Sequence, residues 1–116
     1  MSEVSVVIPA YNPGSYLQST LDSLAAQTFT AWEAVIVDDG STEDLSWVDD
    51  YDARVRRQRQ ENAGLSAARN AGISASSAPL VAFLDADDLW MTTKLIGDIE
   101  HPLTFWLRPL DEDRHT

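Results

Sequence analysis

Short β-branched runs alternate with segments of helical periodicity along most of this chain. Val4-Ser5-Val6-Val7-Ile8 is the first such run, and Pro9 is expected to stop it, so a buried strand is predicted over 4–8. Leu17, Leu21, Leu24 and Ala25 fall at helical spacing and predict one apolar face, with Asn12 as N-cap and Pro13 at the first helical position. Trp32 to Val37 reads as a second strand that ends in the turn Asp38-Asp39-Gly40-Ser41. Ser41 and Asp44 then have capping-box spacing ahead of Leu45, Trp47 and Val48, which predicts a short acidic helix. Arg54 to Gln60 is a third strand, less apolar and nearer an edge. Asn62-Ala63-Gly64 is a turn, and an Ala-rich helix follows from Leu65 to about Ser76, with Leu65, Ala68, Gly72 and Ile73 on one side. Ala78-Pro79 ends that helix, and Leu80 to Leu84, apolar on both faces, is a fourth strand. Strands alternating with helices in this way predict an α/β fold, Rossmann-like, with a mainly parallel sheet flanked by helices and right-handed crossovers.

Composition narrows the function classes. At 116 residues the chain is large enough for a single core and too short for two domains. It has no cysteine, which excludes disulfides and thiolate metal sites. Its net charge of −11 argues against a nucleic-acid surface and would repel a phosphate-bearing ligand unless a divalent cation reverses the field locally. Arg54, Arg56, Arg57 and Arg59 supply four of the eight basic residues, and their alternation suits a solvated or edge strand better than a phosphate site. The start shows no basic segment followed by an apolar one, and no stretch is apolar for long enough to span a bilayer. The expected compartment is the cytoplasm, with membrane association reserved for a longer form.

Two acidic clusters change the picture more than any bulk property. Each stands at the C-terminal end of a predicted strand, where open α/β sheets bind their ligands. In Asp85-Ala86-Asp87-Asp88, strand alternation sends Asp85 and Asp87 to the same side, and paired carboxylates of this kind suit Mg²⁺ or Mn²⁺ shared with substrate phosphates. The plainer alternative is a solvated turn capping a helix that begins near Leu89. In Asp38-Asp39-Gly40-Ser41 a carboxylate can accept from a base imide or a ribose hydroxyl; the alternative is a turn with Gly40 at unusual backbone angles and Ser41 as a cap. Pro9-Ala10-Tyr11-Asn12 lies at the end of the first strand, where Tyr11 can stack on a planar base and Asn12 is best read as the helix cap. Arg69, beside Asn70, either holds these carboxylates in place or bridges to a diphosphate. Neither a G-x-G-x-x-G nor a G-x-x-x-x-G-K-[ST] motif occurs, so a dinucleotide fingerprint and a P-loop are both unsupported.

Taken in order, these segments resemble family 2 glycosyltransferases, which have the GT-A fold and use nucleotide-diphospho-sugars. The resemblance rests on Val4 to Asn12, Leu21 to Thr28, Trp32 to Thr42, Asn62 to Ile73, Phe83 to Trp90 and Lys94-Leu95. It implies that residues 1–95 are the nucleotide-sugar-binding half of such a domain and that 96–116 form a divergent tail. It further implies a nucleotide site of Pro9, Tyr11, Asp39, Arg69 and Asp85, with Asp39 accepting from the base and Asp85 near the ribose. Asp85 and Asp87 match the D-x-D motif, which places Asp87 on the cation with Asp88 sharing the role. The implied cofactor is Mn²⁺ or Mg²⁺, neutralising the diphosphate as it leaves. The implied donor is a UDP-sugar first, with GDP and dTDP donors known in the family, and transfer would invert the anomeric centre.

Beyond Leu95 the resemblance stops, and no general base is assigned; Asp98, Glu100 and His101 have nothing in their context to single one out. Phe105-Trp106-Leu107 is expected to cover a sheet edge or a core face, or to form a homodimer contact. Against a metal-dependent glycosyltransferase stands a truncated nucleotide- and metal-binding fragment without turnover, which donor hydrolysis would separate from it. A phospho-acceptor receiver domain is disfavoured because its acidic pair should follow the first strand. A nucleotidyltransferase is disfavoured because it needs a Gly-rich basic loop there.

Overall fold

The computed structural model describes residues 2–86 and the backbone of 106–107. Its strands are β1 (Val4–Ala10), β2 (Trp32–Asp39), β3 (Val55–Gln60), β4 (Leu80–Phe83) and β5 (Trp106–Leu107), joined in one sheet of order β3-β2-β1-β4-β5. The first four are parallel, and β5 runs antiparallel against β4. Helix α1 (Tyr16–Ala25) follows β1 and helix α2 (Leu65–Ala75) follows β3, while a 3₁₀ turn (Ser46–Asp50) stands between β2 and β3. The predicted α/β class and the edge position of β3 are therefore observed. Trp106–Leu107 takes up the sheet-edge alternative, and the boundary at residue 95 lies outside the described residues.

Strand parity divides the molecule into two faces. Val4, Val6, Ile8, Ala34, Ile36, Ala82 and Leu84 pack with Leu17, Leu21 and Leu24 of α1 into the larger core cluster. Val35 and Val37 pack on the opposite face with Ala68, Ala71 and Ala75 of α2. α2 lies close to the sheet because Gly72 has no side chain: an added Cβ would sit 2.2 Å from Val7 Cγ1. A buried polar network ties the strand starts together on this same face. The Glu33 carboxylate accepts from Ser5 Oγ, from Arg56 Nη1 at 2.8 Å and from the Ser77 amide at 2.7 Å.

Several local expectations are corrected. β1 does not stop before Pro9 but continues to Ala10. Val7 O accepts from the Leu84 amide at 3.0 Å, so odd residues of β1 turn their peptide groups toward β4, whose pairing ends at Val7↔Phe83. The next rung of that ladder would run from the residue-9 amide to Leu84 O, and Pro9 has no N–H to give, so pairing with β4 ends there while β1 continues to Ala10 against β2. α1 begins at Tyr16 with Ser15 in the cap position, so Asn12 is not its N-cap. The buried face of α1 includes Thr20, and Ala25 is exposed. In α2 the buried residues are Ala68 and Gly72, whereas Leu65 is 52% exposed. The Ser41/Asp44 capping box does not form: Asp44 Oδ1 accepts from Ser46 N within the turn that leads to the 3₁₀ segment.

Candidate functional site

The parallel strands deliver Ala10, Asp39 and the Leu84-Asp85 segment to one edge of the sheet. The register sets Ala10 opposite Asp38, and Leu84 hydrogen-bonds back to Val7, so the β1, β2 and β4 ends lie side by side. Parity then separates the neighbouring aspartates. Asp38 shares a face with Ala34 and Ile36, while Asp39 turns toward α2.

Asp38 is a structural residue. It is 1% exposed, its Oδ1 accepts from the Ser41 amide at 2.8 Å, and its Oδ2 pairs with Arg59 Nη1 at 3.0 Å. Arg59 also donates to the Ser41 carbonyl, which locks the turn to β3. The other arginines of this stretch are committed too: Arg54, just before β3, to Asp52, and Arg56 and Arg57 within it to Glu33 and Asp49. This agrees with the edge-strand reading of the basic cluster.

Asp39 is buried and densely hydrogen-bonded. Oδ1 accepts from Gln60 Nε2 and from the Ala63 amide, both at 2.9 Å; Oδ2 accepts from the Gly64 amide at 3.0 Å and more distantly, at 3.4 Å, from Asn62 Nδ2. Burial pushes the Asp39 carboxyl up, but the bonds from Gln60, Ala63 and Gly64 outweigh it and hold the group below the ordinary carboxylate range. It is an ionised acceptor at neutral pH. Gly40 lets the two loops meet: its φ is +83°, and a Cβ there would lie 2.8 Å from the Asn62 amide nitrogen.

Asn12, at φ 44°, holds the β1 loop against the β2 loop. Its amide donates to Ser41 Oγ at 2.8 Å, and its Oδ1 accepts from the Thr42 and Glu43 amides at 2.9 and 3.2 Å. On this braced loop Tyr11 is 55% exposed and Tyr16 65% exposed. Tyr11 and Pro9 border two openings. One, of about 130 Å³, is lined by Pro9, Ala10, Tyr11, Asp39, Leu65 and Ala68. The other, of about 330 Å³, is lined by Pro9, Tyr11, Asn12, Pro13, Tyr16, Asp85 and Ala86.

Asp85 and Arg69 meet as a loose pair, Nη2 to Oδ1 at 3.8 Å, with side chains 52% and 40% exposed. At that exposure the pair contributes no more than about 1 kcal/mol, so both groups remain open to a ligand. The Arg69 guanidinium also stands 5.6 Å from the Phe83 ring centroid. Leu65 and Arg69 are one helical turn apart and so share a face of α2 that runs along the site.

Pro9, Tyr11, Asp39, Arg69 and Asp85 are thus brought to one end of the sheet, and Asp87 and Asp88 lie outside the described residues. Among the described residues no group of three or more His, Asp or Glu side chains is gathered to hold a metal. Three contributors were not assigned to the site from the sequence. Gln60 bonds Asp39, Leu65 walls the smaller opening, and the buried Thr20 donates to the Ala86 carbonyl at 2.9 Å. Only Gln60 had a usable signal, its place at the end of a strand parallel to β2.

The model of glycosyl transferase family 2 matches residues 5–102. The uncharacterized glycosyltransferase YibD of Escherichia coli is 44% identical over 91 residues, which is 75% of this chain and 26% of that protein. Glycosyltransferase GlyA of Streptococcus pneumoniae is 42% identical over 90 residues, 74% of this chain and 13% of that protein. Among solved structures, S. aureus TarS in complex with UDP-GlcNAc superposes with a TM-score of 0.77 at 31% identity, covering 86% of this chain and 30% of that one. The mannosyltransferase PcManGT from Pyrobaculum calidifontis, in complex with GDP-Man and Mn²⁺, gives 0.77 at 25% identity, covering 84% and 31%. The chain therefore spans well under half of the proteins it matches, and across that span its fold is theirs. A parallel sheet with this strand-end constellation and these matches makes the chain a member of glycosyl transferase family 2.

Proposed function

We propose that this chain is the donor-binding part of a metal-dependent glycosyltransferase and holds a nucleotide-diphospho-sugar across the C-terminal ends of β1, β2 and β4. The observation that carries the reading is the convergence of Tyr11, Asp39, Arg69 and Asp85 on that edge, each from a different element. The nucleobase lies in the smaller opening, against Tyr11 and within reach of Asp39. The ribose and diphosphate extend toward Asp85, where Arg69 is free enough to shift its guanidinium onto a phosphate oxygen.

An all-oxygen donor set of this kind fits Mn²⁺ or Mg²⁺. Asp85 stands open at the strand end, and Asp87 and Asp88 continue the same segment and would hold the ion. When bound, such an ion offsets the diphosphate's charge as the sugar departs. This also resolves the conflict between a polyanionic ligand and a chain of net charge −11. Inverting transfer to an acceptor also needs a general base, beyond the residues assigned here. A binding fragment without turnover is the second reading, favoured by the small share of its relatives that the chain spans.

Calorimetric titration of UDP with and without Mn²⁺, into the chain and into an Asp87→Ala variant, tests the proposal. Mn²⁺-dependent binding that drops at least about tenfold in the variant is expected. Binding indifferent to both the ion and the substitution would overturn the metal-bridged reading. Release of free sugar from a UDP-sugar would separate a catalytic chain from a binding fragment.

A further inference from the structure

The hydrogen bonding around Asp39 carries more than its presence in the site. Resting on the donor-site reading above, we infer that Gln60 sets base selectivity, by occupying one carboxylate oxygen of Asp39 and leaving room for a single ligand N–H. A carboxylate offers about four acceptor positions, two on each oxygen. On Oδ1 both are taken, by Gln60 Nε2 and the Ala63 amide at 2.9 Å each. On Oδ2 one is taken by the Gly64 amide at 3.0 Å, and the second is met only by Asn62 Nδ2 at 3.4 Å. That Asn62 nitrogen already donates to the Asp39 main-chain carbonyl at 3.0 Å, so it can yield the position without losing its main bond.

One open acceptor position matches a base edge with one N–H between two carbonyls, the imide of uracil or thymine. Guanine presents two adjacent donors and needs both oxygens of a carboxylate; here its second donor would be buried without a partner. Cytosine and adenine can offer an amino N–H, but they bring a ring-nitrogen acceptor beside the carboxylate with it, which makes them poorer partners than an imide. Gln60 controls this because it is the one Oδ1 donor on a side chain; the other is the main-chain amide of Ala63. The register fixes it opposite Asp39 across the β2–β3 pair, on the face that both share with α2.

The test is the ratio of UDP to GDP affinity in the presence of Mn²⁺, for the chain and for Gln60→Met, which keeps the side chain's length and removes its donor. UDP is expected to bind at least about tenfold tighter than GDP, the discrimination that one buried unpaired donor produces. In Gln60→Met the ratio narrows by about fivefold or more because GDP gains, and a cooperative melt at a somewhat lower temperature, as expected when Asp39 loses one donor, shows that the variant is folded. Equal affinities in the unsubstituted chain, tighter GDP binding, or an unchanged ratio in a folded Gln60→Met would overturn the inference and leave the donor site standing. Failure of both nucleotides to bind would overturn the donor-site reading and this inference with it.

Discussion

Adjacent residues with the same side chain do different work here, and strand parity decides which. Asp38 is spent on the Ser41 amide and Arg59, while Asp39 stands in the wall of the smaller opening. The acidic pair was legible in the sequence as a unit; the division between its members also follows from alternation once the register to β3 is known. What could not be read was the extent to which Asp39 is already hydrogen-bonded, because its donors come from a turn more than twenty positions along the chain. Glu33 makes the opposite point. Burial pushes its carboxyl up, but bonds from Ser5, Arg56 and Ser77 bring it from the ordinary 4.5 down to about 2. A perturbed carboxylate often marks a functional site, yet this one lies at the strand starts, at the end of the sheet away from the cleft. Its role is to hold β1, β2, β3 and the α2–β4 connection together. With its folded pKa depressed, its contribution to stability is complete above pH 4.5 and is lost as pH falls toward 2. Denaturant unfolding over that range should show stability falling with pH, and Glu33→Gln should flatten the slope whatever its own cost at neutral pH.

At the level of elements, the pattern found every strand from β1 to β4 and both helices: β1, β2, β4 and the helices bury apolar residues, whereas β3 buries only Val55 and was legible from its alternation of charged residues. The pattern erred where a local signal competed with tertiary structure. Asn12-Pro13 is a good helix start in isolation. The Asn12 side chain instead accepts from the β2 loop, and the helix opens later, at Tyr16. Leu65 fits the helical stripe of α2, yet the sheet contacts Ala68 and Gly72 and leaves Leu65 for the cleft. The small residues of α2 therefore set its distance from β1. Gly72→Ala should gain about 1 kcal/mol of helix propensity. Against this stands a Cβ placed 2.2 Å from a stiff valine in the central strand, and overpacking of that kind costs about 1–3 kcal/mol. Thermal unfolding should show a net loss of stability, and an unchanged or raised melting temperature would mean that α2 can move off the sheet freely.

At the scale of the whole molecule, the fold separates a stabilising end from a ligand end. The strand starts carry the Glu33 network, and the strand ends carry Tyr11, Asp39 and Asp85 on loops braced by Asn12, Arg59 and Thr20. The central claim is that one ligand spans those loops. The most direct measurement follows the backbone amide resonances of the isotope-labelled chain as UDP and Mg²⁺ are added. The account predicts that the largest shifts fall on Tyr11, Asp39, Gly64, Leu65 and Asp85, with Ser5, Glu33 and Ser77 unmoved. Shifts gathered instead on the β3 arginines or the strand-start network, or no shifts at saturating nucleotide, would contradict it.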